Sequence, residues 1–257
     1  MDDARSEAPD AQAHYARLAG NYNALWDHTP AFRQWMVSQI IDIVNPPRDA
    51  TVADVGGGTG LFAAELLRQL GPSSSVYLLD PSAGMLAQAP PHPRLLGLHA
   101  SAAQTRSRLA EEGVHDVDVV LVKEAVHHFP DPPSELADLA TLLGPGQALL
   151  VVMLPKRIQY PLFASALTRF TDLQPDPANI AEYLSSAGLT TTRQVRSYPL
   201  TIETPHWLEM VSNRFMSLLS TFDDVELANG VAEIERRIGA HASVSFDDDF
   251  EFVLGRR

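Results

Sequence analysis

The residues best placed to do chemistry form a glycine-rich segment, residues 54–60, that could bind a ligand through its backbone. Four residues of strand character, residues 52–55, run into its glycines, and an amphipathic helix is predicted over residues 61–70. Gly56, Gly58 and Gly60 allow a sharp turn and a close backbone approach to a ligand that a Cβ would push away. The helix start adds unpaired N–H groups and the positive end of the helix dipole. The segment therefore predicts a site for a carboxylate or phosphate, with a ribose nearby.

The glycine spacing separates two families of cofactor-binding proteins. A dinucleotide fingerprint requires G-x-G-x-x-G, but its third glycine would fall on Leu61 or Ala63. The segment instead reads acidic-x-G-x-G-x-G, starting at Asp54. This pattern resembles motif I of the class I S-adenosylmethionine (SAM)-dependent methyltransferases, in their small-molecule, type 11 or UbiE-like group. The alternatives are a purely structural turn and a nucleotide-cofactor oxidoreductase, which NAD(P)H binding would favour.

The resemblance extends to the second predicted strand, which ends at Asp80. An acidic residue at that place can accept hydrogen bonds from both ribose hydroxyls of a cofactor. Residues 80–86 match the family pattern D-x-S-x-x-M-L, which implies that Met85 packs against the adenine. The alternatives are that Asp80 caps a helix and that Met85 belongs to the core.

Two further cofactor contacts follow from the resemblance. The family usually places an aspartate after the third strand, near the adenine amino group, but this chain has Ser101 there. Backbone groups are expected to serve in its place. Residues 15–22 resemble the N-terminal element that folds over SAM, so that Tyr22 would bond the methionine carboxylate or line the pocket. The alternative is that Tyr22 and Trp26 are packing aromatics.

A fourth, buried strand over residues 118–122 leads into a loop, residues 123–131, that resembles motif IV of small-molecule methyltransferases. By this resemblance Lys123 belongs to the cofactor site, and His127 and His128 face the sulfonium. Histidine, with a free pKa of about 6.5, suits removal of a hydroxyl proton. Adjacent residues in an extended segment point in opposite directions, so one histidine is expected to reach the pocket. The sequence does not say which, and both histidines could be structural.

An apolar or aromatic substrate is expected from the side chains outside the central sheet. Trp26 and Trp207 are the predicted aromatic contacts, and Arg214, on a predicted helix over residues 205–219, could bind an acidic group. The alternatives are core packing for the aromatic side chains and a solvated surface charge for the arginine.

The alternation of strands and helices through residue 153 predicts an α/β fold with a Rossmann-like, doubly wound sheet. Its ligand crevice should lie at the carboxyl ends of the strands, where the glycine turn, the acidic residue and the histidines all fall. The resemblance implies seven strands, the last antiparallel. The expected organisation is an N-terminal helical cap (1–46), a SAM-binding core (47–154) and the rest of the sheet with a helical lid (155–257).

The composition favours a small molecule as the substrate. The 257-residue chain has a net charge of −13, and no basic run exceeds two residues, which disfavours nucleic acid. The zero cysteine count excludes disulfides, thiolate catalysis and Cys-based zinc sites, and no metal-ligand pattern is visible. No apolar stretch could span a membrane and no secretory signal is present, so a cytoplasmic protein is expected. A homodimer is left open.

These observations predict a SAM-dependent methyltransferase acting on a small molecule, with a hydroxyl oxygen as the leading acceptor. Carbon and nitrogen acceptors are alternatives. A SAM-binding regulatory or partner protein without catalysis is the alternative from another class, and turnover with an acceptor separates the two.

Overall fold

The computed structural model describes residues 29–238 and 241–257, and a seven-stranded sheet runs through them. The strands are β1 (Thr51–Val55), β2 (Ser75–Asp80), β3 (Leu95–His99), β4 (Val117–Lys123), β5 (Leu143–Met153), β6 (Thr190–Glu203) and β7 (Ser243–Arg256). Their order is β3-β2-β1-β4-β5-β7-β6, with β7 antiparallel to both of its neighbours. The predicted fold class is confirmed.

Helices flank the sheet on both faces. They are α1 (Pro30–Val44), α2 (Leu61–Gln69), α3 (Ala83–Leu86), α4 (Thr105–Glu111), α5 (Pro132–Ala140), α6 (Ala164–Leu173), α7 (Pro177–Ser186), α8 (Thr204–Ser212) and α9 (Asp224–Ile238). The predicted helix before α1, with Tyr22 and Trp26, lies outside the described residues. Within residues 29–238 and 241–257, no helix is long and apolar enough to cross a membrane.

The strands alternate between two cores because successive side chains point to opposite faces of the sheet. On β4, Val119 and Leu121 pack with α1 and α2, whereas Val120 and Val122 pack with α4, α5 and α7. Both faces are covered by helices, which explains why the central strands read as continuous apolar runs. The carboxyl ends of β1, β2 and β4 are thereby held at one edge.

The segment between β6 and β7 contributes helices α8 and α9 at the end of a long hairpin. The two strands pair from Thr190↔Arg256 to Glu203↔Ser243, and α8 begins at the next residue. Apolar side chains of both helices join the core that lies under α1 and α2. This insertion is where the sequence predicted a lid.

Candidate functional site

A cavity of about 470 Å³ opens at the carboxyl ends of the parallel strands. Its volume falls within the range of roughly 300–1,000 Å³ that is typical of small-molecule sites. Eight of the predicted site residues line it: Asp54, Gly56, Gly58, Asp80, Met85, Ser101, Lys123 and His128. The topology therefore brings together residues that are up to 74 positions apart in the sequence, from Asp54 to His128.

The glycine turn approaches the cavity with its backbone. Gly56 and Gly58 have φ values of 74° and 59°, in the left-handed region that favours glycine. The amide of Gly56 donates to the carbonyl of Leu79 on the neighbouring strand at 2.7 Å. A Cβ added at Gly58 would lie 3.1 Å from Met85 Cε, between the turn and the cavity wall. The absence of side chains at the turn thus leaves space in the cavity for a ligand.

Asp80 holds the turn against the end of β2. Its Oδ2 accepts from the amide of Gly58 at 2.9 Å, and its Oδ1 accepts from the amide of Ser82 at 2.8 Å. Burial raises the pKa of Asp80, and these two hydrogen bonds lower it. A carboxylate offers about four acceptor positions, so both oxygens keep capacity for ligand hydroxyls. The cap of α3 is Ser82, whose Oγ accepts from Met85, and the alternative role of Asp80 as that helix cap does not hold.

Met85 and Ser101 form the wall next to β2 and β3. Met85 is 3% exposed and lies close to the turn at Gly58. The hydroxyl and amide of Ser101 both donate to Gln104 Oε1, at 3.1 and 3.0 Å. The hydroxyl, the amide and the carbonyl of Ser101 are thus all engaged in local hydrogen bonds at this helix start.

Asp54 is buried and Lys123 is half-buried, and their charges act on each other at the glycine turn. Burial raises the pKa of Asp54 to about 7, Lys123 acts in the opposite direction, and Asp80 raises it further. Burial lowers the pKa of Lys123, and its neighbouring carboxyls oppose that change. The Lys123 ammonium also lies 4.0 Å from the ring centroid of Phe62. Exclusion of water is thus the largest influence on both pKa values at this wall of the cavity.

The raised pKa of Asp54 predicts that the protein loses stability as the pH rises. The carboxyl titrates near 3.8 when unfolded and near about 7 when folded, so the folded state binds more protons between those values. Its contribution to the free energy of unfolding is therefore present at low pH and lost as the pH passes through about 7. We expect roughly 1–3 kcal/mol from this group, at about 1.36 kcal/mol per pKa unit.

Guanidinium denaturation at about pH 5 and about pH 8 measures this loss, and Asp54→Asn should reduce the difference between the two values. Some pH dependence of the free energy of unfolding should remain in that variant, because burial also raises the pKa values of Glu124 and Asp248 to about 7. Identical pH dependence in wild type and variant would contradict the assignment.

The sequence predicted an extended segment at His127 and His128, and this prediction is wrong. Residues Val126–His128 form a 3-10 turn, and the two imidazole rings lie 4.0 Å apart at an interplanar angle of 52°. His128 lines the cavity and His127 does not. Burial, with His128 as a second cause, lowers the pKa of His127 well below its usual value, so this ring is neutral.

Three other predicted residues lie away from the cavity lining. Gly60 caps α2 with a φ of 68°. Trp207 is 1% exposed, packs against aromatic rings and donates from Nε1 to the carbonyl of Pro161 at 3.1 Å. Arg214 donates to the carbonyl of Phe222 and to Asp224, at 3.0 and 2.9 Å. Trp207 and Arg214 therefore have structural partners here in place of the substrate contacts expected from the sequence.

Two carboxyls in the cavity lining, Glu124 and Glu135, were not predicted from the sequence. The Oε2 of Glu135 accepts from the amide of Asp131 at 3.2 Å, next to the start of α5. Glu124 follows Lys123 within the motif IV loop. Because Lys123 was predicted to lie in the site, the adjacent carboxyl could have been predicted there too.

A family model described as a methyltransferase domain matches residues 30–194, more than half of the chain. The ubiquinone/menaquinone biosynthesis C-methyltransferase of Pasteurella multocida is 30% identical over 48% of this chain and 46% of its own length. A ubiquinone biosynthesis O-methyltransferase of Aliivibrio fischeri is 28% identical over 60% of this chain. The chain thus spans between about half and two thirds of these relatives, 46% and 64% respectively.

A solved structure from Anabaena variabilis, described as a methyltransferase from an antibiotic biosynthesis pathway, superposes with a TM-score of 0.62. The alignment covers 87% of this chain and 97% of that one, at 17% identity. At this identity the likeness concerns the fold.

Proposed function

Because this chain belongs to the class I SAM-dependent methyltransferases, we propose that it transfers a methyl group from SAM to a small molecule, most readily to a hydroxyl oxygen. The observation that carries the proposal is the glycine turn bent around a cavity of about 470 Å³ with Asp80 at its edge. Relatives described as O- and C-methyltransferases agree with the reaction class and leave carbon as an alternative acceptor.

The residues around the cavity fit this cofactor. Asp80 retains acceptor positions for two ribose hydroxyls, and Met85 supplies an apolar, polarisable wall for the adenine. The cofactor can approach the backbone at Gly56 and Gly58 closely because neither residue has a side chain. A Cβ at Gly58 would lie 3.1 Å from Met85 Cε, in the cavity wall. SAM, when bound, supplies a methyl group on a positively charged sulfur.

The protein's own contribution is mainly positional. In the proposed reaction, the cavity lined by the turn, Phe62 and Met85 would hold the two reactants in line. Such alignment can contribute roughly 7–11 kcal/mol to lowering the barrier. A hydroxyl acceptor must also lose its proton, and His128 is the histidine that reaches the cavity wall. We therefore assign His128 the role of proton acceptor.

We expect His128→Ala to lower the turnover of a hydroxyl acceptor by about 10²–10⁴-fold while leaving SAM affinity nearly intact. His127→Ala should affect stability more than turnover, because that ring lies outside the cavity lining. His115→Ala, at an exposed histidine before β4, is the matched control. The measurement is initial rate against acceptor concentration at saturating SAM. If neither His127→Ala nor His128→Ala slows the reaction, positioning alone drives it.

The decisive experiment is calorimetric titration with SAM, S-adenosylhomocysteine and NADH. We expect micromolar binding of the first two and none of the third. A screen with phenol, benzyl alcohol and aniline then tests an aromatic hydroxyl, an aliphatic hydroxyl and an amine as acceptors. SAM binding without turnover of any acceptor would favour a regulatory role, and binding of NADH alone would overturn the proposal.

A further inference from the structure

Glu135, in the first turn of α5, places a carboxyl in the cavity wall that the proposed reaction does not use. Its side chain is 7% exposed and lines the cavity together with Ser101 and Ala102. Its Oε2 accepts from the amide of Asp131 at 3.2 Å, and the amide of Ala103, in the turn after β3, also donates to this carboxyl. Two chain segments therefore fix the position of the carboxyl at the β3 side of the cavity.

The carboxyl of Glu135 keeps acceptor capacity for a ligand. A carboxylate has about four acceptor positions, and the two backbone amides occupy only part of them. Burial raises the pKa of Glu135, the amides of Asp131 and Ala103 lower it, and the charges of Asp131 and Asp138 raise it. None of these groups is a cation, so a ligand that donates a hydrogen bond would meet an acceptor without a competing ion pair.

The strand order indicates which part of a nucleoside lies at Glu135. The glycine turn after β1 suits a carboxylate or phosphate, and Asp80 at the end of β2 suits the ribose hydroxyls. β3 is the next strand outward from β2, and Ser101 and Ala102 follow it. The base and the tail of a nucleoside leave the sugar on opposite sides. With its anionic tail at the turn and its ribose at Asp80, the nucleoside therefore extends its base towards Glu135.

The β3 end of the cavity, which we define by Ser101, Ala102 and Glu135, presents a carboxyl to that base. The hydroxyl and amide of Ser101 both donate to Gln104 Oε1, and its carbonyl accepts from the amide of Gln104. Ala102 has no polar side chain, so Glu135 is the polar side chain left at this end. Adenine carries a 6-amino group on its edge, which is a hydrogen-bond donor. The carboxylate is the acceptor that complements it.

We propose that the carboxylate of Glu135 accepts a hydrogen bond from the 6-amino group of the cofactor's adenine and so makes the site selective for a 6-aminopurine. This assignment rests on the proposed function and deepens it, because it names a residue that reads the base. A base without the amine would leave the carboxylate unpaired next to it, and an unpaired buried acceptor costs affinity.

The test compares S-adenosylhomocysteine with its 6-deamino analogue, in which hydrogen replaces the amine, by calorimetric titration. Wild type should bind S-adenosylhomocysteine about 10–100-fold more tightly, because the analogue lacks the hydrogen bond to a charged acceptor. E135Q presents a neutral acceptor, so this preference should fall about tenfold, while affinity for the analogue stays nearly unchanged. Glu251→Gln, at a buried glutamate that pairs with Arg193 at 3.1 Å, is the matched control and should keep the full preference.

A measurement on wild type does not depend on the folding of a variant. With an isotopically labelled 6-amino group, the amine protons of bound S-adenosylhomocysteine are observed directly by NMR. A proton donated to a carboxylate should shift downfield relative to the free ligand, because hydrogen bonds to ionised acceptors are short and strong. The shift should be smaller in E135Q.

Equal affinity of wild type for the two ligands would overturn the assignment, and so would amine protons that do not shift on binding. Equal weakening of both ligands in E135Q would also overturn it, because Glu135 would then support the start of α5 without contacting the base. Absence of binding of either ligand to wild type is a separate outcome, which rejects the proposed function itself.

Discussion

Gly58→Val is expected to lower SAM affinity by roughly 100-fold or more, a loss of about 2.7 kcal/mol. Gly58 has a φ of 59°, and a β-branched residue is strained in that conformation by about 1–3 kcal/mol. Its Cβ would lie 3.1 Å from Met85 Cε, and its methyl groups would enter the space that a ligand needs. Calorimetric titration with SAM and with S-adenosylhomocysteine measures the effect.

The control for this substitution must carry the same backbone strain without touching the cavity. Gly113 has a φ of 77°, and a Cβ added there would have nothing within 4 Å. Gly113→Val should therefore lose a similar amount of stability and keep wild-type SAM affinity. Wild-type affinity in Gly58→Val would sink the assignment of the turn to the cofactor.

Trp207→Ala is expected to lower the free energy of unfolding by about 3–5 kcal/mol. The indole is 1% exposed, and its ring lies 5.3 Å from the ring centroids of both Phe215 and Phe246. Truncation would open a cavity and leave the carbonyl of Pro161 without its donor. Denaturant titration followed by circular dichroism measures the change in stability.

Two further variants separate core packing from substrate contact at this position. Trp207→Phe keeps a smaller aromatic ring, so it loses the Nε1 hydrogen bond and part of the buried ring, and a smaller loss of stability than in Trp207→Ala is expected. Val225→Ala, at a side chain that is 70% exposed, should stay within about 0.5 kcal/mol of wild type. If Trp207→Ala kept full stability but raised the KM of the acceptor, Trp207 would belong to the substrate site, as predicted from the sequence.

Local physical rules made the central sheet and the cofactor edge predictable from sequence. Apolar runs such as residues 118–122 identify strands buried on both faces, and glycines at alternate positions identify a turn that needs positive φ. The spacing from that turn to Asp80 corresponds to one helix and one strand, so the acidic residue had to fall at the end of β2. Parallel strands then bring these ends to one edge, whatever the packing details.

Periodicity did not determine the roles of the single side chains around the cavity. His127 and His128 are equivalent in sequence, and only the 3-10 turn at residues 126–128 decides which ring reaches the wall. A tryptophan such as Trp207 is typical both of apolar pockets and of protein cores, so its residue type does not decide between them. Its burial depends on rings contributed by Tyr160 and Phe246, which lie far from it in the chain.

The electrostatics of the site also required the tertiary structure. The sequence by itself determined a parallel sheet, a glycine turn and an acidic residue at one edge, because these depend on local conformation and strand order. It could not show that Asp54, Glu124 and Asp248 surround one half-buried lysine, Lys123, since three different strands or strand ends supply these carboxyls. A pKa raised by burial depends on what excludes water from the group. In this protein, elements far apart in the chain provide that exclusion.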